Sequence, residues 1–385
     1  MSIPLVDLTA QADSLKEEIK KVVLEVLAST HYINGPAVAV FEEQLAKYTG
    51  AKYGVGCASG TDALYLALRA CGVGPGDEVI TTPFTFVATA EAVCRCGARP
   101  VFVDIDPTTY NLTPSLVEEA ITPRTKAVLP VHLFGHPADM APLLEIARTH
   151  RLKTIEDCAQ ALGARYQGLP AGGIGDVGCF SFFPSKTLGA SGDGGAIVTN
   201  HEEIAERVRI LRDHGSSRRY YHEEHGVNSR LDTIQAAMLS VKLKHLDDSI
   251  RQRNQVAAWY DESLARLPLK RPTVNDDCNH AFGYYTVEVQ DRPSVQTALN
   301  NKGIGNAIYY PLSLHLQPIF SYLGHHVGDF SHSEDAQERV LSLPMFPELT
   351  RAQVQEVADT IQAAMNMRSG GKAARTHLNP RGNQS

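Results

Sequence analysis

The 385 residues are 43% hydrophobic and 21% charged, with 36 Lys and Arg against 43 Asp and Glu, a formal charge of −7. This is the make-up of a globular chain with room for two domains, and it excludes collagen-like, coiled-coil and wholly disordered chains. A mildly acidic chain is a poor non-specific binder of nucleic acid, and no apolar run approaches the ~18 residues that a membrane span needs.

The opening MSIPLVDLTAQ has neither a basic nor an apolar stretch, so no secretory signal is expected. Seven cysteines scattered through apolar sequence fit reduced, buried thiols in a cytoplasmic protein better than a disulfide framework. No CxxC, HExxH or EF-hand spacing occurs, so no metal is expected, and His325–His326 read as loop histidines. Over 13–29, apolar Leu15, Ile19, Val22, Val23, Val26 and Leu27 recur at the spacing of an amphipathic helix. β-rich runs then alternate with helical ones. YGVGCAS (53–59) precedes TDALYLALRACG, DEVITTP (77–83) precedes FVATAEAVCRCG, and RPVFVDID (99–106) precedes a helix opened by Thr113-Pro114. KAVLPVHLFG (126–135) leads into 138–150, and KTIEDCAQ (153–160) follows. Such alternation predicts a largely parallel sheet covered on both faces, with ligands beyond the carboxyl ends of its strands. The residues that follow strands are therefore site candidates: Ser59-Gly60-Thr61, Phe84-Thr85-Phe86, His132 and Glu156-Asp157. From about 200 to 260 the chain reads as helical, and 280–350 as short strands and helices. The end, from 368, lacks a hydrophobic face and is expected to be disordered. The predicted division is 1–250 for an N-terminal arm and large α/β domain, 251–367 for a smaller α+β domain, and 368–385 for the tail.

Four stretches carry chemistry. In CFSFFPSKTLGASGDGGAIVTN (179–200) a lysine lies between apolar and glycine-rich segments. Most lysines are surface decoration, but a partly buried amine of depressed pKa is a nucleophile toward carbonyls. Asp157 ends an apolar strand, where an unpaired carboxylate is costly. A helix cap or an ion pair would satisfy it, and so would a pyridinium N–H. Gly60 permits an unusual turn before a helix whose first N–H groups suit a phosphate, although Ser-Gly-Thr-Asp is also an everyday turn and cap. Thr82–Ala88 sets an aromatic after a strand, either as core or as a ring stacked on a planar cofactor. A Schiff-base lysine, a pyridinium-pairing Asp, a phosphate turn and a stacking aromatic are together the needs of pyridoxal 5′-phosphate.

The motifs ASGTDAL, PFTFVATAEAV, VDIDP, IEDCAQALGA, SFFPSKTLGASGDGGAI, HGSSRRYYH, GVNSRLDTIQAA and YYPLSLHLQP, in this order over about residues 3–365, resemble the DegT/StrS-type nucleotide-sugar aminotransferases of fold type I. The resemblance implies an α/β fold with a large, mostly parallel-sheet domain and a smaller C-terminal α+β domain. It implies that Lys186 is the Schiff-base lysine, that Asp157 pairs the pyridinium nitrogen, that Gln160 lies near the ring hydroxyl and that Phe86 stacks on the ring. Ser181 with Gly60-Thr61 would bind the phosphate, and Asn228 would reach the phosphate of a neighbouring subunit in a homodimer with composite sites. Gly-Asp-Gly-Gly at 192–195 replaces the usual Gly-Glu-Gly-Gly. L-glutamate would donate the amine, leaving as 2-oxoglutarate, and a keto sugar nucleotide would receive it. HGSSRRYYHEEHGVNSRLDTIQAA looks most like enzymes acting at C3 of UDP-2-acetamido-2-deoxy-3-oxo-glucuronate, on a route to surface polysaccharides. Arg230 could hold the C6 carboxylate or serve only the interface, and Tyr32, Ser185, Tyr309 and Tyr310 would surround the sugar. The resemblance implies His where Tyr309 stands; Tyr occurs there in enzymes of dTDP-3-keto-6-deoxyhexoses, the second reading of the acceptor. Lys186 argues against the related dehydratases, which replace it by His. A non-catalytic regulatory protein of the same fold is the alternative from another class.

Overall fold

The computed structural model describes residues 2–373. Its main sheet has seven strands: β1 (Tyr53–Cys57), β2 (Glu78–Thr81), β3 (Arg99–Phe102), β4 (Thr125–Val128), β5 (Lys153–Asp157), β6 (Val177–Ser181) and β7 (Gly195–Thr199). They lie side by side in the order β1-β7-β6-β5-β4-β2-β3. From β3 to β6 all pairings are parallel, whereas β7 is antiparallel to both β6 and β1. The parallel sheet read from the alternation is thus interrupted at one side. The cause is the connection: parallel neighbours need a crossover, usually a helix, and residues 182–194 contain none, so the chain turns back beside the strand it has just left.

Helices cover both faces. Helices α1 (Leu8–Ser14), α2 (Lys16–Ser29) and α3 (Pro36–Thr49) precede the sheet, and α4 (Gly60–Ala70) and α5 (Ala88–Arg95) follow β1 and β2. Leu64, Leu66 and Val93 of α4 and α5 pack with Val55, Ile155 and Ile197 of the strands. On the opposite side Met140, Leu143 and Ile146 of the helix Met140–His150 meet Ile80 and Val128. The single helix read over 13–29 is two, broken at Leu15, and Asp7 caps the first by accepting the N–H groups of Thr9 and Ala10 at 3.0 Å each. The strand read over 126–135 stops at Val128, ahead of Pro130, and ends in a short turn at Leu133–Gly135. The region read as helical from 200 contains a small hairpin, Ser216–Arg218 with Tyr221–His222.

A second core gathers Tyr260, Tyr285, Val287, Leu341 and Val357 around the antiparallel pair Tyr285–Glu288 and Val340–Leu343. Ile3 is buried in it, and its N–H donates to the Gly303 carbonyl at 3.0 Å, so the first residues serve the C-terminal core. The helix Leu246–Ser263 runs through the expected boundary at 250/251. The last helix, Arg351–Ala373, carries its backbone into the stretch read as disordered; residues 374–385 lie outside the described residues. Among the described residues, no helix is long and apolar enough to cross a membrane.

Candidate active site

Beyond the carboxyl ends of β5 and β6 lies a cleft of about 530 Å³ where residues 59–61, 85–89, 157–160, 181–186 and 308–310 meet. Successive side chains of a strand point to opposite faces, which gives the neighbours Glu156 and Asp157 different tasks. Asp157 lines the cleft at 5% exposure. Its Oδ2 accepts the Thr89 hydroxyl at 2.8 Å and its Oδ1 the Ala159 N–H at 3.1 Å. Burial pushes this carboxyl up from its ordinary range; the Ala159 and Thr89 donors and the charge of Lys186 pull the other way. Glu156 lies outside the cleft lining. It accepts the N–H groups of Gly172, Ile174 and Gly175 and pairs with Nε2 of His132 at 2.9 Å. His132 Nδ1 accepts from Ala138 N–H at 2.9 Å, which leaves Nε2 to donate. Glu156 and His132, candidates because they follow strands, are therefore an internal brace behind the site. Cys158 lies near both, with ligand atoms within 4.8 Å, but these hydrogen bonds already occupy the His132 and Glu156 atoms.

Lys186 sits at the base of the cleft in the loop between β6 and β7. Burial lowers its amine to about 8, against an opposing pull from Asp157. At that value roughly a tenth of the amine is unprotonated at pH 7, a few hundred times the share of an ordinary lysine, and the free amine is the form a nucleophile toward carbonyls requires. Phe182, fully buried edge-on to Phe41 at 5.3 Å, anchors the start of this loop. Lys242 holds its far side by donating to the Gly189 carbonyl at 2.7 Å.

Across the cleft, Ser59 caps α4 by accepting the Asp62 N–H at 3.1 Å, so Gly60 and Thr61 open the helix toward the ligand space. Gly60 is required for a reason other than the unusual turn read from the sequence. Its φ is not positive; a Cβ there would stand 2.5 Å from the Cβ of Ser181. The glycine lets the helix start and the end of β6 approach each other, and so brings Thr61 and Ser181 to one site. Phe86 lines the cleft with its ring 56% exposed, a state that is costly for a core residue and suited to a stacking one, whereas Phe84 is buried. Gln160 accepts the Phe134 N–H at 2.6 Å and donates to the Tyr310 hydroxyl at 3.0 Å.

Ser185, Tyr309 and Tyr310 also line the cleft. Asn228, Arg230 and Tyr32 do not. Asn228 is exposed and bridged to Asp213 along the backbone, Arg230 donates to the Asp213 carboxylate at 2.8 Å, and Tyr32 is 45% exposed. Among the polar cleft residues, Thr89, Asp193 and Tyr284 have no role in the sequence reading, Asp193 appearing there only as part of Gly-Asp-Gly-Gly. Thr85 and Thr89, four apart and 3.0 Å between hydroxyls, carried a readable signal in their spacing. Tyr284 sits among apolar and aromatic neighbours of a strand-like run, and nothing in the pattern separates it from the core.

The DegT/DnrJ/EryC1/StrS aminotransferase family model matches residues 13–362. The chain is 49% identical to the pleiotropic regulatory protein of Geobacillus stearothermophilus, over 94% of this chain and 98% of that one. It is 47% identical to the UDP-N-acetyl-3-dehydro-alpha-D-glucosamine 3-aminotransferase of Acidithiobacillus ferrooxidans, over 95% and 98%. With the UDP-2-acetamido-2-deoxy-3-oxo-D-glucuronate aminotransferase of Pseudomonas aeruginosa the identity is 46%, over 91% and 97%. Among solved structures, DesV of S. venezuelae in complex with a ketimine intermediate superposes with a TM-score of 0.92 at 44% identity, covering 94% of this chain and 98% of that one.

Proposed function

The chain belongs to the DegT/DnrJ/EryC1/StrS aminotransferase family, and on that premise we propose that it uses pyridoxal 5′-phosphate to move an amino group from L-glutamate to the 3-keto carbon of a UDP-linked 2-acetamido sugar. The observation that carries this is the pairing of Lys186, its amine lowered to about 8, with the buried Asp157 in one cleft. The residues fit the cofactor. Asp157 has room for a cationic ring N–H besides its two donors, α4 opens toward an anion, and the Phe86 ring is bare. Bound there, the cofactor supplies an electron sink and carries the amine between the two substrates.

In this reading the chain's own residues have separate tasks. Lys186 would hold the cofactor through its amine at the carbonyl carbon, the carbonyl oxygen leaving as water, and once released would act as general base and acid, taking a proton from one carbon and returning it to another. Asp157 keeps the ring nitrogen protonated, and Thr89 and the Ala159 N–H fix the carboxylate for that work. Thr61, Ser181 and the first N–H groups of α4 take the phosphate, Phe86 covers one ring face, and Gln160 with Tyr310 orients the other ring substituents. Ser185, Tyr309 and Tyr310 border the sugar. Asn228, exposed, and Arg230, half-buried, both lie outside their own cleft and would act in the site of a second copy, which makes the active unit a homodimer; Tyr32, also outside the cleft, is assigned to the same neighbouring site. The work is assigned to the cytoplasm, where sugar nucleotides are used.

The two UDP-sugar relatives support a 2-acetamido acceptor, and the 3-oxo-glucuronate reading rests on Arg230 as the partner of the C6 carboxylate. Tyr309, in place of the His that reading implies, favours comparison with dTDP-3-keto-6-deoxyhexoses. The regulatory name of the Geobacillus relative leaves catalysis here untouched, because Lys186 and Asp157 are both in place. The test is a set of keto sugar nucleotides offered with glutamate and read by mass: the UDP-3-oxo-glucuronate, its hydroxymethyl counterpart and the 6-deoxy sugar. A gain of one amine on the uronate is expected; equal or faster use of the 6-deoxy sugar removes the uronate assignment.

A further inference from the structure

Tyr284 lies where the second core meets the cleft, with only 9% of its surface exposed. The Lys186 Nζ stands 5.8 Å from the centre of its ring, within the range in which an ammonium is attracted to an aromatic face. The ring is fixed from two sides, by Tyr309 at 4.7 Å and by Phe134 at 6.3 Å, and the Tyr284 N–H donates to the Phe134 carbonyl at 3.2 Å. Its hydroxyl lies toward Ser185, the residue before the lysine. One side chain thus presents its face to the amine and its hydroxyl to the adjacent turn of the same loop.

We infer that Tyr284 is a positioning residue for Lys186: its ring face stabilises the ammonium form of the released amine. This rests on the reading of Lys186 as the proton-carrying lysine. Such a lysine alternates between amine and ammonium in every half-reaction, and burial works against the ammonium. Among the described residues lining the cleft Lys186 is the one Lys or Arg. The charged and titratable groups that share the cleft with it are Asp157 at the end of β5, Asp193 in the glycine-rich loop, and the three tyrosines 284, 309 and 310; of these, Asp157 acts on its charge and Tyr284 presents a ring to it. Asp157 is expected to be engaged by the cofactor's ring nitrogen when that is bound. The Tyr284 face then remains as the neutral support of the ammonium, while Arg253, behind Tyr284, favours ionisation of the phenol and not of the lysine. An aromatic placed here for packing alone would act on the lysine only through burial, so its removal would move the titration to higher pH and not to lower.

The experiment measures that titration directly. The full-length protein, stripped of cofactor, is acylated by trace acetic anhydride across pH, and the extent at Lys186 is read by peptide mass spectrometry. Tyr284→Phe keeps the face and is expected to titrate with the wild type. Tyr284→Leu removes it and should move the onset of labelling to lower pH by about half a unit to one unit, a three- to tenfold change in the protonation equilibrium. Tyr284→pentafluorophenylalanine keeps the shape while draining the face of negative charge, so it should shift like Leu and remains informative if the Leu variant does not fold. In the cofactor-loaded enzyme the acid limb of the glutamate half-reaction should move with the labelling curve. Coincident curves for all four proteins, a shift to higher pH, or a Phe variant that shifts as far as Leu would each overturn the inference. Failure of the wild type to bind cofactor would overturn the functional reading instead, and the labelling result would be unaffected.

Discussion

Lys186 trades stability for reactivity, and pH should expose the trade. Its amine is lowered to about 8 from an ordinary 10.5. Below the folded value both folded and unfolded chains carry the proton, and the folded one bears the full cost of a desolvated charge. Between about 8 and 10.5 the folded lysine is neutral while the unfolded one is still protonated, so stability rises with pH across that window. Lys186→Met should therefore abolish turnover and yet raise the melting temperature of the cofactor-free protein at pH 7, by a free energy on the order of 3 kcal/mol at most. The gain should shrink as pH climbs through the window; a gain independent of pH would assign it to packing. Asp157 is the complementary case, a carboxylate held up by burial and served by Thr89 and the Ala159 N–H. Asp157→Asn keeps the shape and loses the charge that holds the ring nitrogen protonated, and we expect turnover to fall roughly 100-fold or more with the cofactor still bound. Absorbance of bound cofactor together with single-turnover rates separates the two effects.

At the level of elements, the site depends on how closely α4 can stand to the end of β6. A methyl group at Gly60 would meet Ser181, and one at Gly195 would meet the Ser59 carbonyl, so the two glycines hold the helix start against the sheet. Gly60→Ala should weaken cofactor binding at least tenfold by equilibrium dialysis, the ~1.4 kcal/mol that a small displacement of two phosphate-binding residues readily costs, and the chain should still fold. The motifs made this site legible because each is a strand end followed by a special residue, the one pattern that a parallel sheet imposes on its sequence. Lys186, Asp157, Thr61, Ser181 and Phe86 all fall in one cleft for that reason. What stayed unreadable depends on contacts between distant segments. Gly60 looks in sequence like a turn glycine, and only Ser181, brought beside it by the fold, reveals it as a contact glycine. Glu156 and His132 follow strands as Asp157 does, but the alternation of β5 and the turn after β4 direct them into a brace. The antiparallel return of β7 was hidden because strand composition does not encode direction. Tyr284 was hidden because an aromatic in a buried run looks the same whether it faces a core or a cleft.

At the scale of the whole molecule, one chain holds the cleft but not every group assigned to it. Among the described residues the lining contains Lys186 and no arginine, although both a nucleotide sugar and glutamate bring anionic groups that need cationic or N–H partners. Arg230 and Asn228 are exposed or half-buried elsewhere, together with apolar side chains such as Leu24 and Leu27 of α2, Val40 of α3 and Phe183 at the cleft's edge. Apolar surface of this kind is costly to leave in water and suits a permanent interface. With a formal charge of −7 the molecule's overall field repels its substrates, so local groups supplied by a second copy become more important. Two crippled proteins should then rescue each other. Lys186→Ala and Asn228→Asp are each expected to be inactive, the second because it sets a carboxylate against the cofactor phosphate of the neighbouring site. When the two are co-expressed under separate tags and the hybrids isolated, each hybrid dimer contains one site with both defects and one with neither. Activity should return to about half that of wild-type dimer per hybrid, as twofold symmetry requires. Sedimentation at dilution links the recovered activity to dimer and not to mixed aggregates. If the hybrids stay inactive while each parent is folded and dimeric, Asn228 works within its own chain and the composite site is wrong.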